Sequence, residues 1–172
     1  LTGAAQQAAG DALGMLRNEA QAEARVVKIG MRNDLYATAA KSGETADMTN
    51  ILGAVTKIRD ADPNTFQTMP PVFRKVVAEY SDKAGGLSGR SMDPELMAEI
   101  GVGKPPMASF EELHSLYRET NSQMATAGRV GDANGLYYLG QLKDALKGKL
   151  DTFGGETKQK FIDFNKWFSA KY

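Results

Sequence analysis

Residues 132–153, "DANGLYYLGQLKDALKGKLDTF", decide how this chain folds. Leucines recur in this stretch at steps of three and four residues, which is the spacing of one face of an α-helix. The apolar face consists of Leu136, Leu139, Leu142, Leu146, Leu150 and Phe153. Asp132 stands just ahead of it, where an N-cap is expected. The stretch therefore predicts a helix of about five turns that buries this face against other helices.

Two further helices are predicted on either side of this one. "SFEELHSL" (109–116) begins with a capping box, in which Ser109 and Glu112 each accept a hydrogen bond from the other's backbone N–H. Glu156 and Lys171 stand near the two ends of the last segment, as the helix dipole favours. The short turns "AGRVGD" and "FGGE" predict antiparallel packing of the three helices. Their predicted ranges are about 109–128, 132–153 and 156–171.

The first forty residues predict one long helix, from Ala4 to about Ala40. Its apolar stripe again follows steps of three and four residues. The stripe consists of Leu13, Leu16, Ala20, Ala24, Val27, Met31 and Leu35. The opposite face carries charged side chains, and two glycines in the interior weaken the helix. We therefore expect this helix to depend on packing against other helices.

The middle of the chain predicts shorter helices with clear breaks. Asp47 or Thr49 can cap the first of them, and Asp62 caps the next with Pro63 in its first position. Asp93 and Pro94 begin a further short helix before the extended connector "GKPP". We place a domain boundary near Lys104. The prediction is an all-α, multi-helix bundle without strands, divided into residues 1–104 (long helix, helical hairpin and irregular linker) and 105–172 (three-helix antiparallel unit).

Composition excludes several classes of function. Twenty-one basic and twenty-one acidic residues give a net charge of zero, so the chain lacks the basic excess of a dedicated nucleic-acid binder, and DNA should bind at most weakly. The absence of cysteine rules out disulfides, thiolate zinc sites and cysteine nucleophiles. No apolar run approaches the roughly 18 residues that span a bilayer. Because the sequence starts "LTGAAQQAAG", without Met or a signal peptide, we expect it to be part of a longer parent chain.

No motif in the sequence assigns a catalytic, cofactor-binding or metal-binding residue. His114 is the single histidine, and it is placed at the edge of a helical stripe without a nucleophile or a set of metal ligands. "GGLSGRS" has Arg90 where a nucleophile elbow needs glycine. "GRVGDANG" lacks the Lys-Ser/Thr of a phosphate-binding loop, so a turn and a helix cap explain it better.

Two groups of side chains predict protein–protein contacts. The stripe of the long helix is too extended for a chain of this length to cover, and the C-terminal helices carry more aromatic residues than one buried face needs. Stacking of nucleic-acid bases on these aromatics beside lysines is the alternative. The candidate interaction residues are Leu13, Leu16, Val27, Met31, Leu35, Tyr137, Tyr138, Phe164 and Trp167.

A resemblance to a known family suggests where such contacts are made. The stretch "SFEELHSLYRETNSQMATAGRVGDANGLYYLGQLKDALKGKL" (109–150) resembles a helical hairpin of the large internal virion proteins of tailed bacteriophages, and "DPNTFQTMPPVFRKVV" (62–77) is similar in character. Such proteins are packaged in the capsid and ejected with the genome. The resemblance implies a non-catalytic structural segment that packs against other virion proteins or copies of itself. It implies a location in the capsid interior, with delivery into the host cell envelope or cytoplasm as a later stage.

A small α-helical enzyme domain, such as a peptidoglycan-directed hydrolase, is the alternative. In that case Glu111, Glu112 or Asp93 would be the acid. The mechanism needs a cleft whose carboxylates lie about 5–10 Å apart. The sequence contains no recognisable glycosidase motif around these residues.

Overall fold

The computed structural model describes residues 2–84 and 104–171, and within them the chain is all-α. It is 85% helical, with seven helices and one very small sheet in the described part. The elements are α1 (Gly3–Ser42), β1 (Thr45–Asp47), α2 (Thr49–Ala61), α3 (Pro63–Thr68), α4 (Pro71–Lys83), β2 (Met107–Ser109), α5 (Phe110–Val130), α6 (Ala133–Leu150) and α7 (Gly155–Lys171). The predicted fold class and the long N-terminal helix are confirmed. The short helix predicted to begin at Asp93 and Pro94 lies outside the described residues.

The side-chain caps predicted from the sequence are formed at the starts of three helices. Asp62, Ser109 and Asp132 each accept a hydrogen bond from the backbone N–H three residues further on. The bonds that Thr65 donates to Asp62 lower the pKa of that carboxyl, because they favour its charged form. These caps satisfy N–H groups that have no partner within their own helices.

Helix α4 begins with a cap that comes from another helix. Pro70 occupies its N-cap position and offers no side-chain hydrogen bond. The side-chain oxygen of Gln123, in α5, instead accepts a hydrogen bond of 3.0 Å from the backbone N–H of Val72. Lys75 pairs with Glu119 at 2.9 Å along the same contact, and the bond raises the pKa of the lysine. Polar contacts therefore fix the register of α4 on α5.

Helices α5 and α6 form a helical hairpin, which has the most extensive helix–helix contact in the described part of the chain. Gly131, with φ of 73°, ends α5 in the left-handed conformation that favours glycine, and Asp132 caps α6 directly after it. The leucine face predicted for α6 is buried at Leu139, Leu142, Leu146 and Leu150, and Leu136 is half-buried.

The expectation of no strand is wrong at one place. β1 and β2 pair antiparallel over three residues each, with Ala46 opposite Ala108. Both alanines are buried, and the small side chains let this ladder lie close to the helices. Three residues are too few to display a period of two in the sequence, which explains why the pattern did not predict the pair.

The chain forms two compact units, and the divisions between them do not coincide with the predicted boundary near Lys104. One unit is Ser42–Gly154, and the other combines Leu1–Lys41 with Gly155–Tyr172. The first unit runs across Lys104 because the β1–β2 pair and the α4–α5 contacts join residues on both sides of it. The three helices predicted as the C-terminal unit are divided accordingly, with α5 and α6 in the first unit and α7 in the second.

A coupling between Asp132 and Gly135 provides one test of the capping geometry. A Cβ added to Gly135 would overlap the Asp132 carboxylate. We expect Asp132→Ala to lower the free energy of unfolding by about 1 kcal/mol. Gly135→Ala should be close to neutral in the native chain, because a helix-propensity gain of up to about 1 kcal/mol is offset by displacement of the cap.

In the Asp132→Ala background, the same Gly135→Ala change should stabilise the chain, since no cap remains to be displaced. Urea denaturation of the four proteins measures this coupling. Strictly additive effects of the two substitutions would contradict the capping geometry.

Candidate interaction surfaces

The stripe predicted on α1 is exposed along most of its length. Leu13 is 68% exposed, Leu16 and Val27 are also exposed, and Met31 is half-buried. Leu35 is 0% exposed. The stripe is therefore buried only at its C-terminal end, and about five turns of helix present an apolar line that the described part of the chain leaves accessible.

A second group of apolar side chains on α1 was missed by the sequence analysis. Met15, Val26 and Ile29 are also exposed, on the side of the helix that was predicted to be charged. Val26 and Ile29 directly follow Arg25 and Lys28 in the sequence, so they fall within a face that was defined by its charged residues. The exposed surface of α1 is therefore apolar on more than one side.

Helices α1 and α7 are joined by a polar contact. Both belong to the unit that combines Leu1–Lys41 with Gly155–Tyr172. Lys160 Nζ lies 2.9 Å from an Asp34 carboxylate oxygen and 2.8 Å from the Thr38 hydroxyl, and Glu156 lies 3.5 Å away. The bond to Asp34 is the main cause of the raised pKa of Lys160, which therefore stays charged. This contact sets which part of α7 faces the C-terminal end of α1.

The aromatic candidates on α7 differ in how much of each ring is accessible. Phe164 is buried and its ring lies 6.1 Å from the ring of Phe168, whereas Trp167 is half-buried. Phe168 remains exposed, with Lys28 Nζ 5.9 Å from its ring centroid. Trp167 and Phe168 are therefore better placed than Phe164 to contact a partner.

The aromatic candidates on α6 lie beside an apolar groove within the unit Ser42–Gly154. Tyr137 is 63% exposed and packs edge-on against Tyr138, with ring centroids 5.4 Å apart. Tyr138 lines a groove of about 400 Å³ between α2 and α6. Its walls are mainly apolar and include Ile51, Val55, Ile58, Phe73, Leu142 and Ala145. A groove with this lining suits an apolar side chain or a small apolar molecule.

His114 is buried rather than at the edge of its stripe. Its ring stacks between Phe110, at 5.8 Å, and Tyr117, at 6.5 Å, on the same face of α5. Phe110 precedes His114 by four residues and Tyr117 follows it by three, so both rings lie about one helical turn from the histidine. The geometry gives His114 a packing role in the helix start.

The carboxylate of Glu112 is engaged in a contact between α4 and α5. Its Oε2 atom accepts hydrogen bonds from Lys83 Nζ at 2.9 Å and from the Tyr80 hydroxyl at 3.3 Å, which differs from the reciprocal bond of the predicted capping box. Burial raises the pKa of Tyr80, and the negative charge of Glu112 adds to the shift. Glu111 is exposed, and Asp93 lies outside the described residues.

Within residues 2–84 and 104–171, no group of three or more histidine, cysteine, aspartate or glutamate side chains could hold a metal ion. None of the helices in the same ranges is long and apolar enough to cross a bilayer.

Comparison with known proteins leaves the family open. No protein-family model matches the chain, and no curated protein or solved structure matches it either. The resemblance of residues 109–150 to internal virion proteins therefore stays a prediction.

Proposed function

We propose that this chain is a non-catalytic helical segment of a larger internal virion protein of a tailed bacteriophage, which packs against other virion proteins or against copies of itself. The observation that carries the proposal is the exposed apolar stripe of α1, on which Leu13 and Leu16 are 68% and 62% exposed. Large exposed apolar surfaces on a folded chain mark sites of protein association. The virion assignment rests on the hairpin resemblance.

The charge distribution supports protein rather than nucleic acid as the partner. The chain has no net charge, and several of its lysines are engaged with carboxylates, as in the Lys75–Glu119 and Lys83–Glu112 pairs. Affinity for DNA depends mainly on the number of phosphates that basic side chains neutralise. We therefore expect weak DNA binding that is lost as salt increases towards physiological concentration.

Mass spectrometry of purified particles of the source phage tests the proposal. Peptides of this sequence should occur in intact particles, as part of a longer protein, and should be lost from particles whose genome has been released. Absence of these peptides from intact particles would contradict the proposal.

A cell-wall lysis assay on the purified chain tests the enzymatic alternative. Glu112→Gln removes the charge of the candidate acid that binds Lys83 and Tyr80, and Glu111→Gln removes the charge of the exposed candidate beside it. Lysis that is abolished by one of these substitutions, in a chain that remains folded, would favour the hydrolase. We expect no lysis above that of a heat-denatured sample.

A further inference from the structure

The apolar stripe of α1 repeats every eleven residues. Leu13, Ala24 and Leu35 are eleven residues apart, as are Leu16 and Val27, and the pair Ala20 and Met31. Eleven residues occupy three turns at about 3.67 residues per turn, close to the 3.6 of a straight α-helix. The stripe therefore runs almost parallel to the helix axis, so that two such helices could stay in contact over its whole length.

Charged residues lie on both sides of this stripe, and the two sides carry opposite signs. Glu19 and Glu23 each come directly before a stripe residue. The basic residues that come directly after a stripe residue are Arg17, Arg25, Lys28 and Arg32. Positions before and after a stripe residue lie about 100° to either side of it, because each residue turns the helix by that angle. The stripe therefore has an acidic flank and a basic flank.

The two flanks select one orientation for a pair of identical helices. In a parallel pair, the flank before the stripe of one helix meets the flank after the stripe of the other, as in parallel coiled coils. Glu23 then lies beside Lys28 of the second copy, five residues further along. In an antiparallel pair, acidic flanks would face each other and so would basic flanks, which is repulsive.

From this geometry we infer that two copies of the chain associate through α1, parallel and in register, along the stripe from Leu13 to Met31. This inference rests on the proposed function and names a second copy as the partner of the same surface. In this arrangement Ala20 and Ala24 meet their counterparts at the centre, where small side chains let the two helices approach closely. Leu13 and Leu16 pack against their counterparts nearer the N-terminus.

Sedimentation equilibrium on adjacent substitutions tests the surface. Leu16→Glu places a charge on the stripe, and Met15→Glu places the same charge one residue away from it. The two residues have nearly equal exposure, 62% and 66%, so neither change should alter the fold of the single chain, and circular dichroism can verify this. We expect Leu16→Glu to raise the dissociation constant of the dimer at least about tenfold, with Met15→Glu within about threefold of the native chain.

Cysteine cross-linking tests the orientation, and the chain contains no native cysteine to interfere. A Leu13→Cys chain should form a disulfide with its own second copy in a parallel pair, because the two Cα atoms lie within the roughly 7 Å that a disulfide spans. In an antiparallel pair with Leu13 opposite Met31, these Cα atoms would be about 27 Å apart. Met15→Cys is the off-stripe control and should stay uncross-linked.

Three results would overturn the inference: a native chain that stays monomeric at high concentration, equal weakening by Leu16→Glu and Met15→Glu, or cross-linking only in a mixture of Leu13→Cys with Met31→Cys. These results are separate from the test of the proposed function. A monomeric chain that is present in particles would refute the pair alone, whereas a paired chain that is absent from particles would refute the virion assignment alone.

Discussion

Replacing Phe110 with alanine is expected to lower the free energy of unfolding by about 3–5 kcal/mol. Phe110 is 1% exposed and is the first residue of α5, directly after the Ser109 cap. Its ring packs edge-on against Phe153, with centroids 5.2 Å apart at 89°, and also stacks on His114. Alanine would remove these contacts and leave a cavity that the surrounding helices could fill only in part.

The position of this contact explains why the effect should be large. Phe110 follows β2, and Phe153 follows the end of α6, so their rings join the start and the end of the helical hairpin. Both side chains are buried, and the aromatic pair adds about 0.5–1.5 kcal/mol to the effect of burial alone.

Tyr137→Ala is the matched control for this prediction. Tyr137 is also an aromatic residue of the hairpin with an edge-on partner, but most of its ring is exposed. We expect Tyr137→Ala to lower the free energy of unfolding by less than about 1 kcal/mol. Urea denaturation followed by circular dichroism measures both losses, and similar losses for the two variants would show that the core is not centred on Phe110.

The features predicted correctly from the sequence are those that depend on neighbouring residues. The leucine spacing of α6 and the side-chain caps at Asp62, Ser109 and Asp132 are local patterns, and each of these three side chains accepts the predicted N–H bond. The Glu112 half of the predicted capping box is the exception, because its carboxylate binds Lys83 and Tyr80. The cap at Asp62 needs only the backbone three residues further on, which the sequence itself supplies. Such signals hold without any knowledge of the tertiary contacts.

The features that were missed depend on residues far apart in the chain. The pairing of Ala46 with Ala108 joins segments about sixty residues apart, and a three-residue strand has too weak a local signal to reveal it. Similarly, the contact of Glu112 with Lys83 could not be predicted from the helix start, where the sequence suggested a local bond. His114 was misplaced because the buried face of α5 is wider than the stripe used to define it.

The exposure of the apolar stripe on α1 could be predicted from the sequence only in part. Periodicity identifies which residues of α1 share a face, but it does not indicate where along the helix that face is covered. Leu13 and Leu35 have the same residue type and belong to the same stripe, yet one is exposed and the other is buried. The difference comes from tertiary contacts near the C-terminal end of α1, which a local pattern does not record.

Leu35→Ala is therefore expected to lower the free energy of unfolding by about 2–5 kcal/mol, whereas Leu13→Ala should change it by less than about 0.5 kcal/mol. The two positions are 0% and 68% exposed, so only the first substitution creates a cavity. Both chains should be measured by urea denaturation at a concentration at which the native chain is monomeric, because association through α1 would add stability that depends on Leu13. Raising the concentration should then stabilise the native chain more than Leu13→Ala, while the deficit of Leu35→Ala persists at every concentration. If both substitutions lowered the free energy of unfolding of the monomeric chain by about 2–5 kcal/mol, Leu13 would be buried like Leu35. The stripe would then be covered along its whole length, and the exposed surface on which the proposed association depends would not exist.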